Sequence, residues 1–167
     1  MHSGARSDVH AGRFDMSISS AAARLATPAI HWIALFALCS AYLQGGLTKL
    51  FNFAGAIAEM NHFGLTPAMP FAIATIALEL AAPMLVLSGK YRWLGALALA
   101  GFTVMATFVA NRFWEVAPPE RLMTANAFFE HLGLAGAFVF VAWHDLRSAH
   151  PGVQMTEGHE PAWREPS

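Results

Sequence analysis

The chain has little charge and almost no cysteine. Asp, Glu, Lys and Arg make up 13% of its 167 residues, while hydrophobic residues make up 56%; an average soluble domain carries about 25% charged residues. A net charge of −1 gives no electrostatic reason for a nucleic-acid partner, which is held through many phosphate contacts. The single cysteine, Cys39, excludes an intramolecular disulfide, a CxxC relay or a thiolate metal cluster built from this chain alone. Cys39 itself reads as a small packing residue. A polar stripe is missing too: "IHWIALFALCSAYLQGGL" and "WLGALALAGFTVMATFVA" carry small and apolar residues on every face, unlike an amphipathic helix of a water-soluble bundle. Strand-like alternation is absent as well, so no transmembrane barrel is suggested.

What the chain does have is long uncharged runs. No Asp, Glu, Lys or Arg occurs from Leu25 to Thr48, from Met60 to Leu78 or from Trp93 to Asn111, and each run is close to or longer than the roughly 18 to 20 residues that cross a hydrocarbon core. A fourth apolar run, Ala127 to Trp143, is interrupted only by Glu130 and His131. Backbone groups in lipid must be satisfied within the segment, which makes these runs helices. The expected fold is therefore all-α, an integral membrane four-helix bundle with helices near Pro28 to Lys49, Pro70 to Leu87, Trp93 to Ala110 and Asn126 to Trp143. Gly95, Gly101, Gly133 and Gly136 are expected to permit close helix contacts.

The division of the chain follows. Residues 1–27 form a polar arm with a candidate interfacial helix between Ser19 and Arg24, residues 28–143 the transmembrane domain, and residues 144–167 a polar tail. The first apolar run begins too late and runs too long for a cleavable signal peptide, so helix one is expected to remain as an anchor. Arg6, Arg13, Arg24, Lys90, Arg92, Arg147 and Arg164 fall on one side of the expected membrane and Lys49, Arg112 and Arg121 on the other. That bias puts both termini in the cytoplasm of a bacterial inner membrane, with loops 50–69 and 111–125 facing outward.

Polar residues near membrane depth then gather towards the outward side. Glu79 lies inside "IATIALELAAPMLVLSG", where an isolated charge costs at least about 2.5–3.5 kcal/mol, so it must face the bundle and be neutral or paired. Pro83, one turn later, has no N–H for the carbonyl of residue 79 and loosens that turn. Lys49 has two readings, snorkelling to the interface or pairing with Glu79. Glu130 and His131 stand in the first turns of helix four, where a wet helix N-terminus would also accommodate them. Asn111, Arg112 and Trp114 close helix three on the same side; tryptophans at such boundaries commonly belong to the aromatic belt.

The order "GGLTKL", "HFGLTPAMP", "LEL", "VLSGKYRWLGALAL", "RFWE" and "NAFFEHLGLAGAF" resembles the DoxX family of small bacterial four-helix membrane proteins, over roughly Ile33 to Trp143. The resemblance implies a bundle with both termini inside, associated with membrane oxidoreductase systems such as quinone-linked thiosulfate oxidation, often as an accessory subunit. It places the family's Gly-x-x-Lys on Gly46 and Lys49, its helix-two glutamate on Glu79 and its aromatic pair on Phe113 and Trp114. Many members carry a histidine just before that pair, whereas this chain has Asn111 and Arg112.

Two functional readings follow. In one, the chain contributes an outward-facing quinone or small-molecule site to an oxidoreductase: Lys49 and His131 hold the head group, with Asn111, Arg112 and Trp114 beside it, and Glu79 or Glu130 carries protons. No flavin, haem or iron–sulfur motif is readable, so a quinone or a partner protein would supply the redox group. In the other, the chain is a non-catalytic membrane subunit that anchors a partner enzyme. Expected partners are the lipid bilayer, an oxidoreductase protein and a second copy of the chain. A non-redox alternative is handling a metal through His62, Glu130 and His131, against which adjacent helical residues point about 100 degrees apart, or moving a small solute, for which four helices without an evident inverted repeat offer little support.

Overall fold

The computed structural model describes residues 27–149; the N-terminal arm, its candidate interfacial helix and most of the C-terminal tail lie outside the described residues. The described chain forms five helices, α1 (Pro28–Phe51), α2 (Phe53–His62), α3 (Ala68–Ser88), α4 (Arg92–Ala110) and α5 (Glu120–Ala149). Four of them, α1, α3, α4 and α5, are long and apolar enough to cross a membrane. The protein is an all-helical integral membrane bundle.

Each spanning helix buries one narrow stripe. On α1 it is Leu35, Cys39, Tyr42 and Gly46; on α3 Ala72, Ile76, Glu79, Pro83 and Val86; on α5 Phe128, Ala135, Phe138 and Ala142. The alternating three- and four-residue spacing is the helical period of a bundle seam. The remaining faces stay apolar and uncovered, with Ile33 68% and Phe36 60% exposed, because lipid replaces water as the solvent for them. This explains the missing polar stripe: both faces of each helix meet apolar surroundings.

The helices neighbour one another in the order α1, α3, α4, α5, whereas α1 and α5 have little close backbone contact. Side chains bridge that seam, notably Tyr42 against Phe138 at 5.4 Å between ring centroids. Of the glycines expected at helix contacts, Gly95 is one: a Cβ there would stand 2.6 Å from the Ala82 carbonyl oxygen on α3. Gly101, Gly133 and Gly136 instead face open space.

Helix ends differ from the hydropathy boundaries for a simple reason. Hydropathy marks where lipid ends, whereas a helix continues until backbone chemistry stops it. Thus α5 starts at Glu120, directly after Pro118 and Pro119, and runs 30 residues to Ala149, about 45 Å at 1.5 Å per residue and longer than the roughly 30 Å hydrocarbon core. α3 stops at Gly89, which adopts φ 75°, the left-handed conformation that glycine reaches without a Cβ penalty. α4 begins after Tyr91, and its otherwise uncapped Trp93 N–H donates to Asp145 Oδ2 on α5 at 3.2 Å. The segment read as an outward loop contains α2, whose first turn is capped by Asn52 Oδ1 accepting from the Gly55 N–H at 3.0 Å.

Charge divides the two ends of the bundle. Among the described residues, Lys90, Arg92 and Arg147 face a single carboxylate, Asp145, at one end, whereas Lys49, Arg112 and Arg121 at the other are outnumbered by Glu59, Glu79, Glu115, Glu120 and Glu130. The positive-inside rule leads to the expectation that the Arg92 end faces the cytoplasm. A reporter fused after Ser88 is then expected to read cytoplasmic, and one near Asn61 extracytoplasmic. The opposite pair of readings would reverse the orientation.

Candidate functional site

The site grows from the last two turns of the α1 stripe. Tyr42, Gly46 and Lys49 follow one another at the spacing that keeps them on one face. Gly46 lets α3 approach: a Cβ there would lie 2.8 Å from Leu80 Cδ2 and 3.1 Å from Glu79 Cβ. At that separation Lys49, one turn on, reaches Glu79 across the helix interface. Lys49 Nζ donates to both carboxylate oxygens of Glu79 at 3.2 Å. Of the two readings of Lys49, pairing is the one observed.

Glu79 is 6% exposed, so Lys49 and not water meets its carboxyl oxygens. Glu59 from α2 approaches Lys49 at 3.8 Å, with its own side chain 42% exposed. The result is a carboxylate, ammonium, carboxylate row from the buried interior to the surface. α3 runs unbroken through Pro83, so the proline leaves Glu79 in helical register.

These groups border a cavity of about 320 Å³, into which Tyr42, Lys49, Glu59, Glu79, Thr103 and His131 all contribute. The rest of its lining is largely apolar, including Phe71, Phe102 and Leu134. Its size and mixture of an apolar wall with a few polar groups are those of a small-molecule site.

Hydrogen-bond directions fix what the wall offers. The Thr103 hydroxyl donates to the Leu99 carbonyl at 2.6 Å. Its one proton is then committed, so in the Tyr42–Thr103 hydrogen bond the phenol donates, and the Tyr42 oxygen keeps only acceptor capacity. Likewise His131 Nδ1 faces the Ala127 carbonyl at 2.6 Å. A carbonyl can only accept, so Nδ1 carries a proton, and in that tautomer Nε2 is left as an acceptor. The cavity thus presents a cationic donor, Lys49, and two acceptors, Tyr42 and His131.

Of the seven residues expected at the site, Lys49, Glu79 and His131 meet at this cavity. The others do not join them. Glu130 is exposed on the neighbouring face of α5. Asn111 donates to Thr107 Oγ1 at 3.2 Å, Arg112 pairs with Glu115 at 3.1 Å on the surface, and Trp114 packs 5.8 Å from Phe128 in an aromatic cluster with Phe108 and Phe113. Sharing one side of the bilayer did not place them on one helix face. The sequence reading missed Tyr42, Thr103 and Glu59. Tyr42 lies seven residues before Lys49 on the same helical face, a spacing visible in the sequence, whereas Glu59 sits on α2, a ten-residue helix inside an expected loop. Among the described residues no three His, Cys, Asp or Glu side chains gather as a metal-binding group.

The fold and cavity define a small multi-pass membrane protein with a buried ion pair at one end of its bundle. Residues 32–112 match the DoxX family model. The inner membrane protein YphA of Escherichia coli strain K12 is similar, at 23% identity over 117 residues that cover 70% of this chain and 84% of that protein. No solved structure matches the chain. With four spanning helices and this relative, the protein is placed in the bacterial inner membrane. The matched family segment contains Tyr42, Lys49, Glu59, Glu79 and Thr103 but stops before His131.

Proposed function

We propose that the protein is the membrane subunit of an oxidoreductase system, and that the Lys49 cavity receives the head group of a hydroquinone-type, lipid-soluble molecule from the outward side. The observation that supports this most is the donor and acceptor set just described. An oxidised quinone ring offers only acceptors, which suits Lys49 and leaves Tyr42 and His131 facing oxygen lone pairs. A hydroquinone offers hydroxyl donors as well as oxygens, so all three side chains gain a partner.

A hydroquinone supplies two electrons and two protons when it is oxidised. In this reading His131 Nε2 takes one hydroxyl proton and the Glu79 carboxylate the other, Lys49 orients a ring oxygen, and the row from Glu79 through Lys49 to the half-exposed Glu59 leads towards water. The two electrons would go to a flavin, haem or iron–sulfur group carried by a partner subunit, since the single cysteine of this chain cannot form a dithiol couple by itself.

The test uses full-length protein in lipid nanodiscs and a short-chain hydroquinone, with binding measured by calorimetry. Ala106 borders the cavity and touches none of the ion pairs, so Ala106→Phe should fill the space and weaken binding at least tenfold while the fold survives. Equal binding by both proteins would reject the cavity site and favour the anchoring role.

A further inference from the structure

The loosely closed α1/α5 seam holds a second cavity, at the opposite end of the bundle from the Lys49 site. It measures about 340 Å³, and its lining is polar at one end and apolar at the other. His31 from the first turn of α1, His144 from the end of α5 and Arg92 from the start of α4 form the polar end; Leu35, Leu38, Phe140 and Val141 form the apolar one. His31, Leu35 and Leu38 follow the helical spacing, so the polar end sits at the membrane boundary and the apolar end extends towards the bilayer interior.

Arg92 is held in place from three directions. Its Nε donates to the Val86 carbonyl at 3.0 Å, its Nη1 lies 3.7 Å from Asp145, and its guanidinium stands 5.5 Å from the Trp32 ring centroid. Asp145 pairs with Arg92, and among the described residues Lys90 and Arg147 add two further cations near this end, outside the cavity lining. The cavity therefore joins a rim of one guanidinium and two imidazoles to a hydrocarbon-lined groove.

We infer that this seam binds an anionic phospholipid, with its phosphate between His31, His144 and Arg92 and one acyl chain along Leu35, Leu38 and Phe140. Basic pockets between transmembrane helices at the cytoplasmic boundary favour anionic head groups, and the apolar groove distinguishes a lipid from a free anion. Such a lipid fills the seam that protein packing leaves open. The inference is independent of the hydroquinone reading, which concerns the other cavity.

Native mass spectrometry of the full-length protein, with phosphatidylglycerol and phosphatidylcholine of identical chains, provides the test. Phosphatidylglycerol is expected to be retained at least fivefold more than phosphatidylcholine. The double variant His31→Ala/His144→Ala, which leaves the Arg92 contacts in place, should lose most of that preference, whereas Ala106→Phe at the other cavity should keep it. Equal retention of the two lipids, or a preference untouched by the histidine variant, would overturn the assignment. Displacement of phosphatidylglycerol by millimolar inorganic phosphate would overturn it in favour of a soluble anion.

Discussion

Lys49→Met is expected to destabilise the bundle by about 3–5 kcal/mol, the range for removing one partner of a buried ion pair. The reason is the residue left behind: Glu79 is buried and its two oxygens both accept from Lys49. Glu79→Gln should cost less, because Lys49 retains Glu59 at 3.8 Å. Combining Lys49→Met with Glu79→Gln should recover most of the loss, giving a coupling term well outside additivity. Unfolding in graded detergent mixtures measures all three variants. Equal costs for the two single variants, with simple addition in the double, would mean that the pair contributes little beyond its separate side chains.

Gly95→Val is expected to disrupt α3/α4 packing more than any conservative change elsewhere in the bundle. Its Cβ would meet the Ala82 carbonyl oxygen at 2.6 Å and Leu85 Cβ at 2.9 Å. A carbonyl oxygen fixed in a helix cannot rotate away, so α3 and α4 must separate along their shared seam. Overpacking of this kind costs roughly 1–3 kcal/mol and occasionally more. The separation would also pull Trp93 from its cap on Asp145. Gly101→Ala is the control, since nothing lies within 4 Å of a Cβ there; helix propensity alone should make it neutral or stabilising by up to about 1 kcal/mol. Comparable losses in the two variants would show that backbone flexibility, and not the contact at Ala82, governs the glycine positions.

The spanning helices were legible because the hydrocarbon core imposes a length, and uncharged runs reveal it directly. Glu79 was legible for the same reason: a carboxylate inside such a run needs a protein partner. Its partner was less so, because a lysine at a helix end can reach either water or a neighbour, and Gly46 decides the matter only once α3 is known to pack against it. α2 escaped notice since ten residues are too short for a membrane run, although Asn52 as a cap and the buried Ala56 and Met60 carry a helical signal. Glu130 and His131 show the limit most clearly. Adjacent in sequence, they point in different directions, and only His131 reaches the cavity.

Hydroquinone recognition requires the cavity to present acceptors at Tyr42 and His131 opposite the donor at Lys49. The most direct measurement compares one short-chain molecule in its two redox forms, each titrated into the full-length protein in nanodiscs under conditions that hold that form. The hydroquinone should bind at least tenfold more tightly than the quinone, and His131→Phe should narrow the difference by removing one acceptor. A quinone that binds as tightly as its hydroquinone, or more tightly, would contradict the assigned hydrogen-bond directions and the function built on them.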